Sequence, residues 1–563
     1  MKRFILFLIL LVTCVSCTNK LEESVVIEES PLFETLNLSD GVTIGEKLQN
    51  PYSIEVMKKA CDILYPPTRG ETPLSDSLIV PNVKYVRFLP TDSTEFRLLS
   101  ESGLELFNYP LDYDILGDPS DYHDPNLPPE QITWQYTVMP IEQAFPIDNG
   151  ELLDVGYIPV NDPNSIYDLT EIESIANDLV ANEFEYNSVG GTTIGTGSYI
   201  DKDSTNNETT EDYTPSIGRI YIIDENNVKT GVKGVKVRAR HYWKIRTAYT
   251  EESGRYFIDL NEFKNVNPRF ELRFENKYGF KLGYNVELIM PQTFDMKARR
   301  THIFTTTNEK KAEDKAWVLS TINNAAYDWY KRCEEEEMSM PPRNIHIWAM
   351  EISAGAACPM FNHGTFQTSN LSLISLATYY FGLDFDYVTN SCLSLLINTI
   401  CPDIFIFNVD EYNSRQLYRF TCHELAHASH FQQVGEDVIE RALWWGDVIQ
   451  YEVACGVLNG GNSPYEHPSL EKDGKVGVTE MWAHAVGHIM EYENYGRTLG
   501  RDPFTEDYWF KPEIVWELYK NGLELNNISK SMEEDVTTLQ LFKERLLEGN
   551  PQYVSIINSI FVF

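Results

Sequence analysis

The sequence predicts a multidomain chain: an α+β N-terminal region, an all-β sandwich in the middle and a mainly α C-terminal domain with a small sheet. Three observations predict it. At 563 residues the chain is too long for one ordinary domain. A stretch from 187 to 216, rich in Gly, Ser, Thr, Asn and acidic residues, has no apolar period and reads as a flexible linker. Beyond it the apolar residues recur at period two, and from about residue 300 at the helical period of 3.6.

The elements follow in order. Met1-Lys2-Arg3 and the apolar run Phe4 to Val15 have the layout of a secretory signal, and the run is too short to span a bilayer. It ends in Val15-Ser16-Cys17, which resembles the lipobox of bacterial lipoproteins. That resemblance implies a signal peptide over 1–17, a lipid on Cys17 that anchors the chain to a membrane, and an acidic tether over 18–40. It also implies an outer-membrane address, with cell-surface exposure, in a Gram-negative bacterium. Residues 41–186 form the α+β region, with a helix over Ser53 to Leu64 and a strand over Lys84 to Leu89. Its Asp- and Pro-rich loops lack the calcium-loop pattern and read as turns; the sequence gives this region no function.

In 217–290, strands are expected at Gly218 to Ile223, at Gly234 to Arg240, after the turn Thr250-Glu251-Glu252-Ser253-Gly254, and at Arg269 to Phe274. The Gly-Val-x-Val strand and the turn leading into Arg255-Tyr256-Phe257 resemble small carboxypeptidase-regulatory-like β-sandwiches. The resemblance implies a structural or docking module. Over 300–563, helices are expected at Ala312 to Glu335, Ser414 to Gln433, Glu440 to Leu458, Val478 to Tyr492, Pro512 to Tyr519 and Met532 to Leu547. Strands are expected at Asn344 to Met350 and Asp403 to Val409.

Composition narrows the chemistry. The formal net charge of −38 argues against nucleic acid and anionic lipid surfaces as partners. The cysteines beyond Cys17 (Cys61, Cys333, Cys358, Cys392, Cys401, Cys422 and Cys455) have neither the spacing of a disulfide framework nor that of a CxxC metal site. Six of the eleven histidines, however, lie between 423 and 488.

Two of them form His423-Glu424-Leu425-Ala426-His427, an HExxH on an expected helix. One turn separates the imidazoles, so they project from one face and can share one ion. Glu424 stands beside the first, where its carboxylate can reach a water without ligating the metal. A catalytic zinc site takes three protein ligands and leaves one position open. The motif resembles that of zincin metallopeptidases. The metzincin continuation is absent, since His430 and Gln433 stand at its positions. The pattern is instead similar to gluzincins, whose third ligand is a glutamate on a later helix. That resemblance implies Zn2+ held by His423, His427 and Glu480, the last in Val478-Thr479-Glu480-Met481-Trp482-Ala483-His484. Asp447 and Glu452 remain alternatives. Some gluzincins carry an Asp four residues after the ligand; here His484 stands there, as a partner of a ligand or a donor to the reaction oxyanion. His430 is assigned to packing, and His488, Tyr492 and Tyr495 are further donor candidates.

The expected activity is zinc-dependent hydrolysis of extracytoplasmic proteins or peptides, with Glu424 as general base. In zincin folds an antiparallel edge strand beside the active helix aligns the substrate; Asp403 to Val409 is the candidate strand of that sheet, Asn344 to Met350 its competitor, and which forms the edge is left open. The competing expectation is a surface-anchored lipoprotein that binds protein or glycan and carries an inactive zincin domain.

Overall fold

The computed structural model describes residues 43–561, apart from 69, 92, 117–121, 128–131, 161–164, 188–216, 264–265, 267, 285–290, 298, 306–310, 352–356, 364–401, 459–473, 497–502 and 505–507. The expected signal, Cys17, the tether and nearly all of the expected linker lie outside the described residues. Helices and strands are mixed throughout, and the strands form several sheets. Among the described residues no helix is long and apolar enough to cross a membrane.

The N-terminal region opens with β1 (Thr43–Lys47) and α1 (Ile54–Leu64). Ser53 caps α1 by accepting from the Val56 N–H at 3.3 Å. After α2 (Leu74–Leu78) come β2 (Val83–Phe88), α3 (Ser93–Glu101), β3 (Tyr113–Leu116), β4 (Gln135–Pro140), β5 (Gly150–Gly156) and α4 (Leu169–Asn187). β2 is the centre of an antiparallel β4-β2-β5 sheet, and β1 pairs with β3. Three small clusters hold this region; in one, Met57, Ala60 and Cys61 of α1 meet Ile172 and Ala176 of α4.

From β6 (Ile217–Ile223) the chain runs through β7 (Lys229–Gly231), β8 (Val235–His241), β9 (Lys244–Tyr249), β10 (Arg255–Phe257), β11 (Arg269–Asn276), β12 (Lys281–Tyr284), β13 (Thr293–Lys297) and β14 (Thr301–Thr305). All four expected strands are present; β7, β9, β12, β13 and β14 are additional. The helix α5 (Lys311–Glu335) follows, then β15 (His346–Ala349) and β16 (Ile404–Ile406).

The sheets do not stop at residue 290. β14 pairs in parallel with β6, and β12 pairs in parallel with β15, which pairs in parallel with β16. The result is one seven-stranded sheet, ordered β16-β15-β12-β11-β8-β9 with β13 also on β11, drawing strands from both sides of that position. One continuous apolar core runs beneath it, from Ile220 to Phe561. Strand alternation explains why β8 is buried on both faces. Val235, Val237 and Ala239 enter this core, while Lys236 and Arg238 point toward the N-terminal region and are also buried.

Among the described residues β16 is the last strand of the sheet, yet its outer side is engaged at Phe405, which exchanges both backbone hydrogen bonds with Ala357 in an antiparallel bridge (2.8 and 3.0 Å). The chain then continues in α6 (Ser414–Phe431), α7 (Val438–Leu458), α8 (Gly474–Asn494), α9 (Glu513–Lys520), α10 (Leu525–Ser529), α11 (Leu539–Gly549) and α12 (Val554–Ile560). The helix expected to begin at Met532 begins instead at Leu539, because Thr538 caps it by accepting from the Leu541 N–H at 3.2 Å.

Candidate metal centre

The HExxH lies in the middle of α6. A capping box starts this helix: the Asn413 side chain accepts from the Gln416 N–H at 2.9 Å, and the Gln416 side chain accepts from the Asn413 N–H at 3.1 Å. Leu417, Tyr418, Cys422, Leu425 and Ala426 fix its buried face. Cys422 packs as a small apolar residue, its thiol 3.8 Å from the Ala325 carbonyl.

α8 runs antiparallel to α6, as the contacts show. The Trp482 indole donates to the Ala426 carbonyl at 3.2 Å, Glu480 meets His427, and Glu491 meets Arg415 near the opposite ends of the pair. Gly487 sets the separation. A β-carbon there would come within 2.9 Å of the Arg419 carbonyl and 3.3 Å of the His423 β-carbon, so only glycine lets the helices close up beside the first histidine.

This close pairing assembles three donors. The Nε2 atoms of His423 and His427 are 3.1 Å apart, and the Glu480 carboxylate lies 3.5 Å from the first and 3.2 Å from the second. A tetrahedral ion with bonds of about 2.0–2.1 Å to nitrogen and oxygen holds its ligand atoms about 3.3–3.4 Å apart. The observed triangle has that size, and two imidazoles with one carboxylate form a donor set suited to zinc. His427 and Glu480 are buried and His423 partly so. Burial, reinforced by the neighbouring His427 ring, holds the His423 pKa well below its ordinary value, so this ring is neutral at neutral pH and free to ligate. Burial alone would raise the Glu480 pKa, but the facing His427, by attraction and a hydrogen bond, outweighs it and draws it down to about 2. The Nδ1 of His427 is buried without a hydrogen-bond partner among the described residues, a departure from the usual support of a ligating imidazole.

Glu424 is buried beside the triangle, its Oε1 3.7 Å from the His423 Nε2. His484, one turn beyond Glu480, brings its ring to 5.6 Å from that of His423, edge to face. Burial lowers its pKa to about 4. Phe504, Tyr508 and Phe510 surround it at ring distances of 5.6, 4.8 and 5.6 Å. His488 stacks on His484 at 5.4 Å.

The remaining expected residues separate cleanly. Asp447 is exposed and paired with Lys475 at 2.5 Å, away from the triangle. The side chain of Glu452 lies outside the described residues. His430 packs against Trp444 and Trp445, and burial drives its pKa down to about 3, so it serves packing as a neutral ring. Tyr492 sits against Trp516, roughly 18 Å along α8 from Glu480 at 1.5 Å per residue, and Tyr495, just past the end of α8, sits against Tyr418. Sequence reasoning overlooked Gly487 and Trp445, whose ring lies 5.9 Å from that of His427. Gly487 had a signal: a glycine in mid-helix costs about 1 kcal/mol against alanine, which points to close packing.

No family model, curated protein or solved structure matches this chain.

Proposed function

We propose that this chain is a gluzincin-like zinc peptidase, exported as a lipoprotein and acting on peptide bonds of extracytoplasmic proteins. In this reading residues 300–563 are a zincin-like domain and 217–290 a carboxypeptidase-regulatory-like unit. The carrying observation is the triangle of His423, His427 and Glu480 at the spacing of a tetrahedral ion, with Glu424 beside it.

His423, His427 and Glu480 would hold the ion, and three ligands leave a fourth position for substrate and water. When bound, zinc would supply Lewis acidity, polarising a carbonyl and easing ionisation of water. Glu424 supplies the proton transfer: its carboxylate accepts a proton from the attacking water and delivers it to the leaving amine. His484, neutral because burial keeps its pKa low, offers an N–H toward charge developing on the carbonyl oxygen. The seven-stranded sheet supplies the backbone alongside α6. Phe405 of β16 is bridged to Ala357, so at that residue the outer edge of β16 is already taken.

The test is a pair of measurements on the mature chain and on Glu424→Ala. The variant is expected to retain one zinc per chain while peptidase activity on unfolded protein falls about 10²–10⁴-fold, the usual contribution of a general base. Stoichiometric zinc in the unaltered chain, with no cleavage of any unfolded protein or peptide library, would instead support a binding lipoprotein with an inactive domain.

A further inference from the structure

A second polar site lies where the N-terminal region meets the seven-stranded sheet, and it shares no residue with the metal triangle. Ser100, at the end of α3, and the loop Gly103-Leu104-Glu105-Leu106 form one wall of a cleft of about 80 Å³. Lys236 of β8, Arg273 and Glu275 of β11, Lys281 of β12 and Pro291 form the other. That volume exceeds a single water's share of the liquid, about 30 Å³, and suits a small oxyanion. At Gly103 nothing approaches within 4 Å of where a β-carbon would stand, so the wall is open there.

The charges in this cleft do not balance. Three cations, Lys236, Arg273 and Lys281, face two lining carboxylates, Glu105 and Glu275. Both carboxylates are already engaged. Glu105 pairs with Lys236 and lies 3.8 Å from Arg238, and Glu275 lies 3.2 Å from Arg273 and 3.8 Å from Lys236. Arg273 spends its Nε on Glu275 and its Nη1 on the Leu106 carbonyl at 3.0 Å. The Lys281 ammonium has no hydrogen bond or ion pair among the described residues. Burial, with Arg273 and Lys236 nearby, outweighs the attraction of Glu275 and the weaker one of Glu101, and lowers its pKa. A positive charge held beside two others, with no described residue bonded to its ammonium, favours an added anion.

We propose that this cleft binds a small oxyanion, a phosphate or carboxylate group, between the Lys281 ammonium and the free Nη2 edge of Arg273. The ligand would tie the loop after α3 to the sheet, since its two walls come from the N-terminal region and from β8, β11 and β12. Arginine suits the recognition because its planar fork matches an oxyanion edge, and lysine adds a point charge.

Isothermal titration calorimetry of the mature chain with inorganic phosphate, sulfate and acetate, at constant ionic strength, tests this. The unaltered protein is expected to bind one equivalent of at least one of the three beyond what Lys281→Gln binds. The anion with the largest difference identifies the site as one for a dianion or for a carboxylate. Anion binding at the metal triangle would survive in Lys281→Gln and cancel in the comparison, so failure of the peptidase reading and failure of this one are distinguishable. Lys281→Arg should keep the extra equivalent. Ser100→Asp, which adds a carboxylate at the rim, should abolish it and serves where Lys281→Gln does not fold. Equal binding by the unaltered protein and both charge-altering variants, or no binding of any of the three anions, overturns the proposal.

Discussion

Two buried sets of charged groups in this molecule contrast sharply. At the seam between the N-terminal region and the sheet, Glu271 accepts from the Tyr109 hydroxyl at 2.8 Å and from Arg238 at 2.8 and 2.5 Å. Nearby, Glu173 accepts from Lys244 at 2.8 and 2.9 Å and from the Tyr52 hydroxyl at 2.8 Å. In the groove between α6 and α8, Glu480 faces two imidazoles, and His423 is a neutral ring at neutral pH. Burial opposes ionisation of both Glu271 and Glu480, yet each is drawn down to about 2. For Glu271 a permanent cation outweighs the burial; Arg238 supplies the charge and is itself stacked 3.8 Å over Phe107. For Glu480 the partners are titratable rings that share the same small space. A seam that satisfies its own charges is structure, whereas a set of converging acceptors that lacks a fixed cation is a place to put one.

The comparison breaks most readily at Glu480. Glu480→Ala should release zinc from the purified chain and weaken its affinity more than about 100-fold, beyond the usual loss of a merely supporting residue. Asp447→Ala, on an exposed carboxylate paired with Lys475, should leave zinc in place. Metal analysis after dialysis reads both, and retained zinc in Glu480→Ala would remove it from the ligand set.

The seam should fail differently. Arg238→Met leaves Glu271 buried without its cation and is expected to cost about 3–5 kcal/mol in denaturant unfolding, with zinc content unchanged. Replacing both partners with apolar residues should recover much of that loss. A zinc-dependent response to Arg238→Met would show that the two regions are not independent.

A smaller change sharpens the geometry of the groove. Gly487→Ala pushes a methyl group against the Arg419 carbonyl and should cost about 1–3 kcal/mol of stability by overpacking. Zinc affinity should fall with it, because the strain separates His423 from Glu480; unchanged affinity would mean that the helix spacing does not set the triangle.

The least effect concerns a third buried pair. Asp403 accepts from the His346 and Asn362 N–H groups at 3.1 and 2.9 Å, and its carboxylate lies 2.9 Å from the His363 Nδ1. Burial would lower the His363 pKa, but Asp403 outweighs it and raises it; burial would raise that of Asp403, but His363 outweighs it and lowers it. The His363 contribution is therefore complete below its unfolded pKa of about 6.5 and is lost as pH rises through the raised folded value. The Asp403 contribution is present above an unfolded pKa of about 3.9 and is lost as pH falls through its lowered value. Stabilisation by the pair should peak between these limits. Thermal unfolding across pH should show a modest decline above neutrality in the unaltered chain that His363→Gln lacks; identical profiles would deny the pair any linked role.

Much of the candidate site was legible because its parts are local. The turn between His423 and His427, the capping residues at Asn413 and Gln416, and the uninterrupted helix past Glu480 are all properties of short stretches. The longer expected helices and both expected strands of the C-terminal half are present, while the short α10 and α12 were not foreseen and α11 starts late where a cap at Thr538 overrode the period. Asp403 to Val409 does supply a strand of the sheet, but its bridge to Ala357 was not legible because that partner is nearly fifty residues away in the chain.

The sequence by itself determined the chemistry on offer: an HExxH helix, a later helix with Glu480 and His484, an acidic chain, and a β unit ahead of them. Tertiary structure decided that Glu480, the carboxylate preferred over Asp447 and Glu452, lies beside the histidines, because α8 is laid antiparallel against α6. It also decided that β12 and β15 lie side by side, that Gly487 spaces the groove, and that the lysines and arginines of β8 and β11 face inward toward the N-terminal region. The reason is physical. Period and capping act over a few residues, whereas ligand sets, sheet order and buried ion pairs depend on which distant surfaces meet.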